Sequence, residues 1–175
     1  GLVGSEMCIR DRGTYPLPEA QLDRFLFKHV LDYPTVEQER AIIAGHGARS
    51  GQMDPASFGV SPVLERAAIN AAVETVAQVR LTDEVIGYIV DLVRATREST
   101  DIETGASPRA GAMLAVASRA AAALDGRDYV VPDDVKGLAV AALRHRLLLS
   151  AAAEIEGRKV DLVLKGLIER VAAPR

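Results

Sequence analysis

Downstream of residue 60 the apolar residues recur at helical spacing, in runs separated by residues that start and stop helices. Ser61-Pro62 is a helix-start pair, with Ser as N-cap and Pro at the first helical position. It predicts a helix to about residue 78, with Val63, Ala67, Asn70, Ala71 and Val73 near one face. Residues 79–81 form a short extended link. Thr82 caps the next helix, Asp83 and Glu84 occupy its first turn, and Val85, Ile86, Ile89, Val90 and Val93 form its apolar stripe. Arg94 and Arg97 sit in the last turn, and a loop is expected over 98–106. Ser107-Pro108 repeats the start pair. Its helix runs through Met113, Leu114, Val116, Ala117 and Ala120 to Leu124, with Gly126 as the C′ residue. Residues 129–131 are briefly extended. Pro132-Asp133-Asp134 opens a helix through Val135, Leu138, Ala139 and Ala142 to about Leu143. A short strand over 146–149, a turn at Glu156-Gly157-Arg158 and a last amphipathic helix over 160–171 complete the pattern, with Pro174 ending it.

The first third of the chain reads differently. Residues 1–12 (GLVGSEMCIRDR) have no period, and resemble a translated sequencing adaptor joined to a truncated reading frame. Residues 13–25 (GTYPLPEAQLDRF) begin with Gly13, Pro16 and Pro18, which hold the backbone extended or turning. Pro18 suits the first turn of a helix of about two turns, with Glu19 where the dipole favours a negative charge. Residues 25–33 (FLFKHVLDY) read as a strand of aromatic and β-branched residues. After Pro34, Thr35 is a good N-cap. Val36, Arg40, Ile43 and Ala44 predict a short amphipathic helix to about His46, broken by Gly45, Gly47 and Gly51. Residues 47–59 form a polar linker with a turn at Asp54-Pro55.

Composition narrows the picture. A hydrophobic fraction of 49% is enough for a packed core, while 4% aromatics and abundant alanine favour close-packed helices over a β-sandwich. The net charge of −3 disfavours an extended nucleic-acid surface. Arg119 and Asp125 interrupt the alanine-rich stretch, so no run suits a membrane span, and no leader is evident. One cysteine, Cys8, allows no internal disulfide and fits a reducing cytoplasm. His29, His46 and His145 lack metal-ligand spacing, so no metal site is expected. Asp133 and Asp134 read as dipole-complementing caps. Arg144, His145 and Arg146 read as a solvated helix end.

Two arginines carry candidate chemistry. Arg24 lies where the short helix meets the predicted strand, where a long cation can project from its own domain. Alternatively it neutralises the helix C-terminus or pairs with Asp23. Arg109, in Gly105-Ala106-Ser107-Pro108-Arg109-Ala110, falls in the first turn of its helix, where the dipole disfavours a cation. Free backbone N–H groups and the guanidinium there converge on an anion. The alternative is a surface pair with Asp101 or Glu103.

GTYPLPEAQLDRF, followed by an apolar stretch and Tyr33-Pro34, resembles the MoxR-type ATPases of the AAA+ superfamily, and GASPRA resembles their sensor-2 motif. The resemblance spans residues 13–175. It implies a mainly α chain: residues 13–59 would be the end of an α/β core, keeping one strand, plus a linker, and residues 60–175 a helical-bundle lid. It also implies a cytoplasmic ATPase that remodels or activates client proteins. Arg24 would be an arginine finger acting in trans, and Arg109 with Ser107 would contact nucleotide phosphate. ATP and Mg2+ would be cofactors of a full-length protein and would not bind this chain alone. Partners would be a homo-oligomeric ring, commonly a hexamer, and a client or a protein with a metal-binding adhesion-type domain, without a membrane or nucleic acid. The sequence holds no GxxxxGK[ST] phosphate loop and no evident Walker-B acid pair, so the chain alone is expected to be inactive. Two other classes fit the residues without the resemblance: a helical DNA-binding or regulatory module built around Arg144 and Arg146, and a protein-interaction bundle indifferent to nucleotide.

Overall fold

The computed structural model describes residues 17–46 and 54–174. The expectations for residues 1–12, for Pro16 and for most of the linker fall outside them. Eight α-helices, one 3-10 helix (Pro55–Phe58) and two short strands are found among the described residues.

The helical bundle begins with α3 (Arg66–Gln78) and α4 (Asp83–Glu98). The Ser61-Pro62 signal is not used. Residues 61–65 are irregular, and α3 starts four residues late with Glu65 as an N-cap whose side chain makes no capping bond. None of the residues of α3 is buried, so little tertiary packing rewards an earlier start. α4 starts as its sequence dictates, with the Thr82 hydroxyl accepting from the Val85 N–H. Its buried face is Val85, Tyr88, Ile89, Leu92, Val93 and Thr96, the 3.6-residue period in full. The predicted stripe was rotated: Ile86 and Val90 lie at its solvent edge.

β1 (Ile102–Thr104) crosses the expected loop and pairs antiparallel with β2 (Leu148–Leu149) in the short strand expected there. α5 (Pro108–Leu124) and α6 (Pro132–Leu143) pack closely, with Ala110, Ala117, Ala122, Ala139 and Ala142 all buried. Small side chains let the two backbones approach. Gly126 ends α5 at φ 74°, the left-handed conformation that glycine adopts without strain. The two extended links meet each other: the Arg80 N–H donates to the Asp128 carbonyl, and the Val130 N–H to the Arg80 carbonyl. α7 (Ala151–Ile155), capped by Ser150, was not anticipated. α8 (Val160–Arg170) closes the core with Val163, Leu164 and Leu167.

Upstream, α1 (Glu19–Leu22) is one turn rather than two. α2 (Val36–His46) forms as predicted: the Gln38 N–H donates to the Thr35 hydroxyl while the Gln38 side chain accepts from the Thr35 N–H. The strand expected over 25–33 is absent, and the segment is irregular. A strand needs a neighbour for its N–H and C=O groups. Here the Lys28 N–H donates to the Ala141 carbonyl at the end of α6, and no described strand runs alongside. The chain is mainly α, a helical bundle preceded by a short segment lacking the expected strand.

Candidate functional site

The N-terminus of α5 is held by contacts that explain the residues before it. Gly105 passes so close to α4 that a Cβ there would lie 2.4 Å from the Cγ of Arg97 and 2.8 Å from its backbone N and Cα. The next residue, Ala106, is buried and donates its N–H to the Thr96 hydroxyl at 2.9 Å, which itself donates to the Val93 carbonyl at 2.6 Å. Ser107 then caps α5, its hydroxyl oxygen 3.4 Å from the Ala110 N–H. Arg109 follows in the first turn. It is exposed, and its side chain makes no hydrogen bond or ion pair among the described residues. Neither surface pair weighed for it forms: the Asp101 carboxylate accepts from Arg158 at 2.7 Å, and Glu103 leaves Arg109 alone.

The Ser107 hydroxyl also donates to the carboxylate of Asp23, with both oxygens at 3.0 Å. Asp23 sits at the C-cap of α1, immediately before Arg24. Residues 17–25 of the GTYPLPEAQLDRF motif are thereby brought to the start of α5. Arg24 itself is exposed in a turn; its backbone N–H donates to the Gln21 carbonyl, and its side chain makes no hydrogen bond or ion pair among the described residues. Asp23 does not pair with it, because that carboxylate is engaged elsewhere.

Its principal partner is Arg146. This residue overturns the reading of residues 144–146 as a solvated helix end: the Arg146 side chain is only 1% exposed. Its Nε donates to Asp23 Oδ1 at 3.0 Å. Its Nη2 donates to the Asp23 and Phe25 carbonyls at 3.0 and 2.6 Å and contacts the Met113 sulfur at 2.8 Å. Its Nη1 donates to the Ala142 carbonyl. Beside it, His145 Nε2 donates to the Phe25 carbonyl at 2.9 Å, which fixes the tautomer because a carbonyl can only accept. Arg144 is also taken, paired with Asp161 at 3.0 Å. All three basic residues are engaged by other parts of the chain, Arg146 buried and Arg144 and His145 half-buried.

Burial disfavours the charged forms here. It pushes the Arg146 guanidinium below its ordinary value, opposed by Asp23 and reinforced by the charge of Arg109. It likewise pushes His145 down, against the Phe25 carbonyl bond, with Arg146 and Lys28 adding to the effect. His145 Nδ1 is buried without a partner among the described residues. Sequence reasoning missed Asp23 and Arg146. The only hint was an arginine directly ahead of three leucines, Leu147, Leu148 and Leu149.

The arrangement therefore presents two unpartnered guanidinium groups, Arg24 and Arg109, joined through the Asp23–Ser107 contact. Free guanidinium groups suit phosphate or carboxylate ligands. Among the described residues no cluster of His, Cys, Asp or Glu could hold a metal ion, and no helix is long and apolar enough to cross a membrane.

A family model described as the AAA lid domain matches residues 94–165. The chain is 36% identical over 173 residues to the uncharacterized protein YeaC of Bacillus subtilis, an alignment covering 99% of this chain and 52% of that protein. It is 35% identical over 183 residues to chaperone MoxR1 of Mycobacterium tuberculosis, covering 99% of this chain and 47% of the relative. A crystal structure of a candidate ATPase from Cytophaga hutchinsonii superimposes with a TM-score of 0.80 at 30% identity, covering 95% of this chain and 52% of that one. The chain thus spans about half the length of the curated relatives it matches. The lid match runs from the end of α4 into α8, and together with the MoxR-named relative and the ATPase-type neighbour it supports reading the chain as a MoxR-type AAA+ C-terminal region.

Proposed function

We propose that this chain is the end of the core (residues 13–59) and the lid (60–175) of a ring-forming, cytoplasmic ATPase that remodels client proteins. Arg24 is the arginine finger, stabilising charge on the nucleotide of a neighbouring subunit. Arg109, on the helix capped by Ser107, contacts nucleotide phosphates in its own subunit and couples them to lid position. The observation that carries this reading is that Arg24 and Arg109 are both exposed and unpartnered, while Arg144 and Arg146 are engaged internally. A phosphate fits the α5 N-terminus through the Arg109 guanidinium and its backbone N–H. The Ser107 hydroxyl already donates to Asp23, so its part is to hold the helix end in place. ATP with Mg2+, cradled by a phosphate loop this sequence lacks, supplies the bond that is hydrolysed. The client, or a partner with a metal-binding adhesion-type domain, is engaged by the assembled ring.

The test is kinetic, in a full-length protein containing this chain. Arg24→Ala is expected to leave ATP affinity nearly intact and reduce turnover by roughly 10³–10⁵, the range for arginine fingers. Arg109→Ala is expected to weaken nucleotide binding as well, because a charge-assisted bond to the ground state is lost. In rings mixed with subunits disabled at the phosphate-loop lysine, Arg24→Ala subunits regain activity and Arg109→Ala subunits do so less. Equal rescue of both, or none for Arg24→Ala in confirmed mixed rings, removes the trans assignment. The DNA-binding alternative loses support because its basic cluster faces Asp23, Phe25 and Asp161 rather than solvent. A nucleotide-independent interaction bundle would show partner binding unchanged by ATP.

A further inference from the structure

A buried guanidinium is costly unless its donors are satisfied, and removing its partner leaves a buried charge behind. Arg146 is buried inside the lid, yet three of its contacts reach out to the Asp23 carboxylate and to the Asp23 and Phe25 carbonyls. Those residues flank Arg24 on both sides. The Lys28 N–H bond to Ala141 and the His145 bond to Phe25 tie this segment to the end of α6 and to the turn just after it. From the other side, Ser107 ties Asp23 to the start of α5. The backbone that carries Arg24 is thus bonded to both lid helices that form the α5–α6 corner, while the Arg24 side chain is left free.

We infer that Arg146 is a positioning residue: through Asp23 and Phe25 it fixes Arg24 to the lid, so that lid orientation sets where Arg24 points. The inference rests on the proposed role of Arg24, and it adds a route by which phosphate contact at Arg109 reaches that residue. Ser107 stands two positions before Arg109 on one side and touches Asp23 on the other. A lid rotation driven at Arg109 therefore moves the Arg24 backbone as one body with α5 and α6.

Two measurements test this. In the chain itself, nitroxide labels at Arg24→Cys and Arg109→Cys, in a Cys8→Ser background, report the separation of the two positions. A single narrow distance distribution is expected, broadening when Arg146→Gln or Asp23→Asn is added. Asp23→Asn removes the ion pair from the segment side without changing any lid residue, so it decides the matter if Arg146→Gln does not fold. An unchanged narrow distribution in Asp23→Asn overturns the inference. In the full-length protein, Asp23→Asn and Arg146→Gln are each expected to lower kcat about 10-fold or more, with KM for ATP within about twofold. The double variant should be no worse than the worse single one, as for two residues acting through one contact. Additive losses, or a KM effect with kcat unchanged, overturn it. Absence of ATP turnover in the unsubstituted full-length protein instead defeats the proposed function, and the coupling with it. The label distances then still report whether Arg146 holds the segment.

Discussion

Gly105→Ala is the sharpest test of how the α5 N-terminus is held. An added Cβ would sit 2.4 Å from Arg97 Cγ and 2.8 Å from both Arg97 N and Arg97 Cα. The first contact can be relieved by a side-chain rotation. The other two are backbone atoms within α4, whose buried face includes Leu92, Val93 and Thr96, so relief requires the 105–107 loop to move away. Overpacking of this kind costs about 1–3 kcal/mol, and a backbone clash belongs at the upper end. Moving the loop also stretches the 2.9 Å bond from the Ala106 N–H to Thr96, worth about 1 kcal/mol net. The total is roughly 2–4 kcal/mol. At about 2–4 °C per kcal/mol for a chain of this size, thermal unfolding followed by circular dichroism should show a Tm lower by roughly 5–15 °C. Exchange of the Ala106 amide with deuterium should accelerate in parallel. Gly137→Ala provides the control. Gly137 lies inside α6 with nothing within 4 Å of an added Cβ, so alanine there should stabilise by about 0.5–1 kcal/mol through helix propensity. A Tm for Gly105→Ala within about 2 °C of the unsubstituted chain would refute the close-approach argument.

Thr96→Val keeps shape but removes the acceptor for the buried Ala106 N–H, and should cost about 1–3 kcal/mol in chemical denaturation. Asp134 accepts from Arg127 at 2.6 and 2.8 Å and from the Val131 N–H at 2.9 Å, and Arg127 chiefly holds its carboxyl below the ordinary carboxylate value. Its contribution is therefore complete above the unfolded-state value near 4 and is lost as pH falls through the lower folded value. Asp134→Asn should lower Tm at neutral pH and flatten the acid limb of the Tm–pH curve; an acid limb as steep as the original speaks against the pair. His145 is held neutral by burial, its folded pKa below the unfolded value of about 6.5. The unfolded state then binds more protons in that window, so stability is complete above about 6.5 and declines as pH drops toward the folded value. His145→Gln should reduce the fall in Tm between about pH 7 and 5, as read by calorimetry; an unchanged slope would show that His145 does not contribute to it.

What the sequence determined by itself is what is settled within a few residues of backbone. Thr82, Ser107 and Pro132 start their helices, and Gly126 ends α5, because orphan N–H and C=O groups at helix ends are met by immediate neighbours. The capping pair Thr35 and Gln38 works the same way, so α2 forms although none of its residues is buried. The period of α4 was visible, but its exact face was not: Tyr88, Leu92 and Thr96 are inside and Ile86 is at the edge because α5, α6 and α8 decide which side is covered. Ser61-Pro62 carried a valid signal that the chain ignores, since residues 61–65 are exposed and no residue of α3 is fully buried. The two arginines of the candidate site were legible from motif and dipole arguments, being exposed ends of local structure. The strand expected over 25–33 failed because strand formation is a property of a pair of segments, and among the described residues that stretch instead meets a helix end. Asp23 and Arg146, 123 residues apart, could not be matched from the sequence. A charged side chain is driven inside only where acceptors compensate its lost hydration, and that compensation exists only once α5, α6 and the residues on both sides of Arg24 have come together.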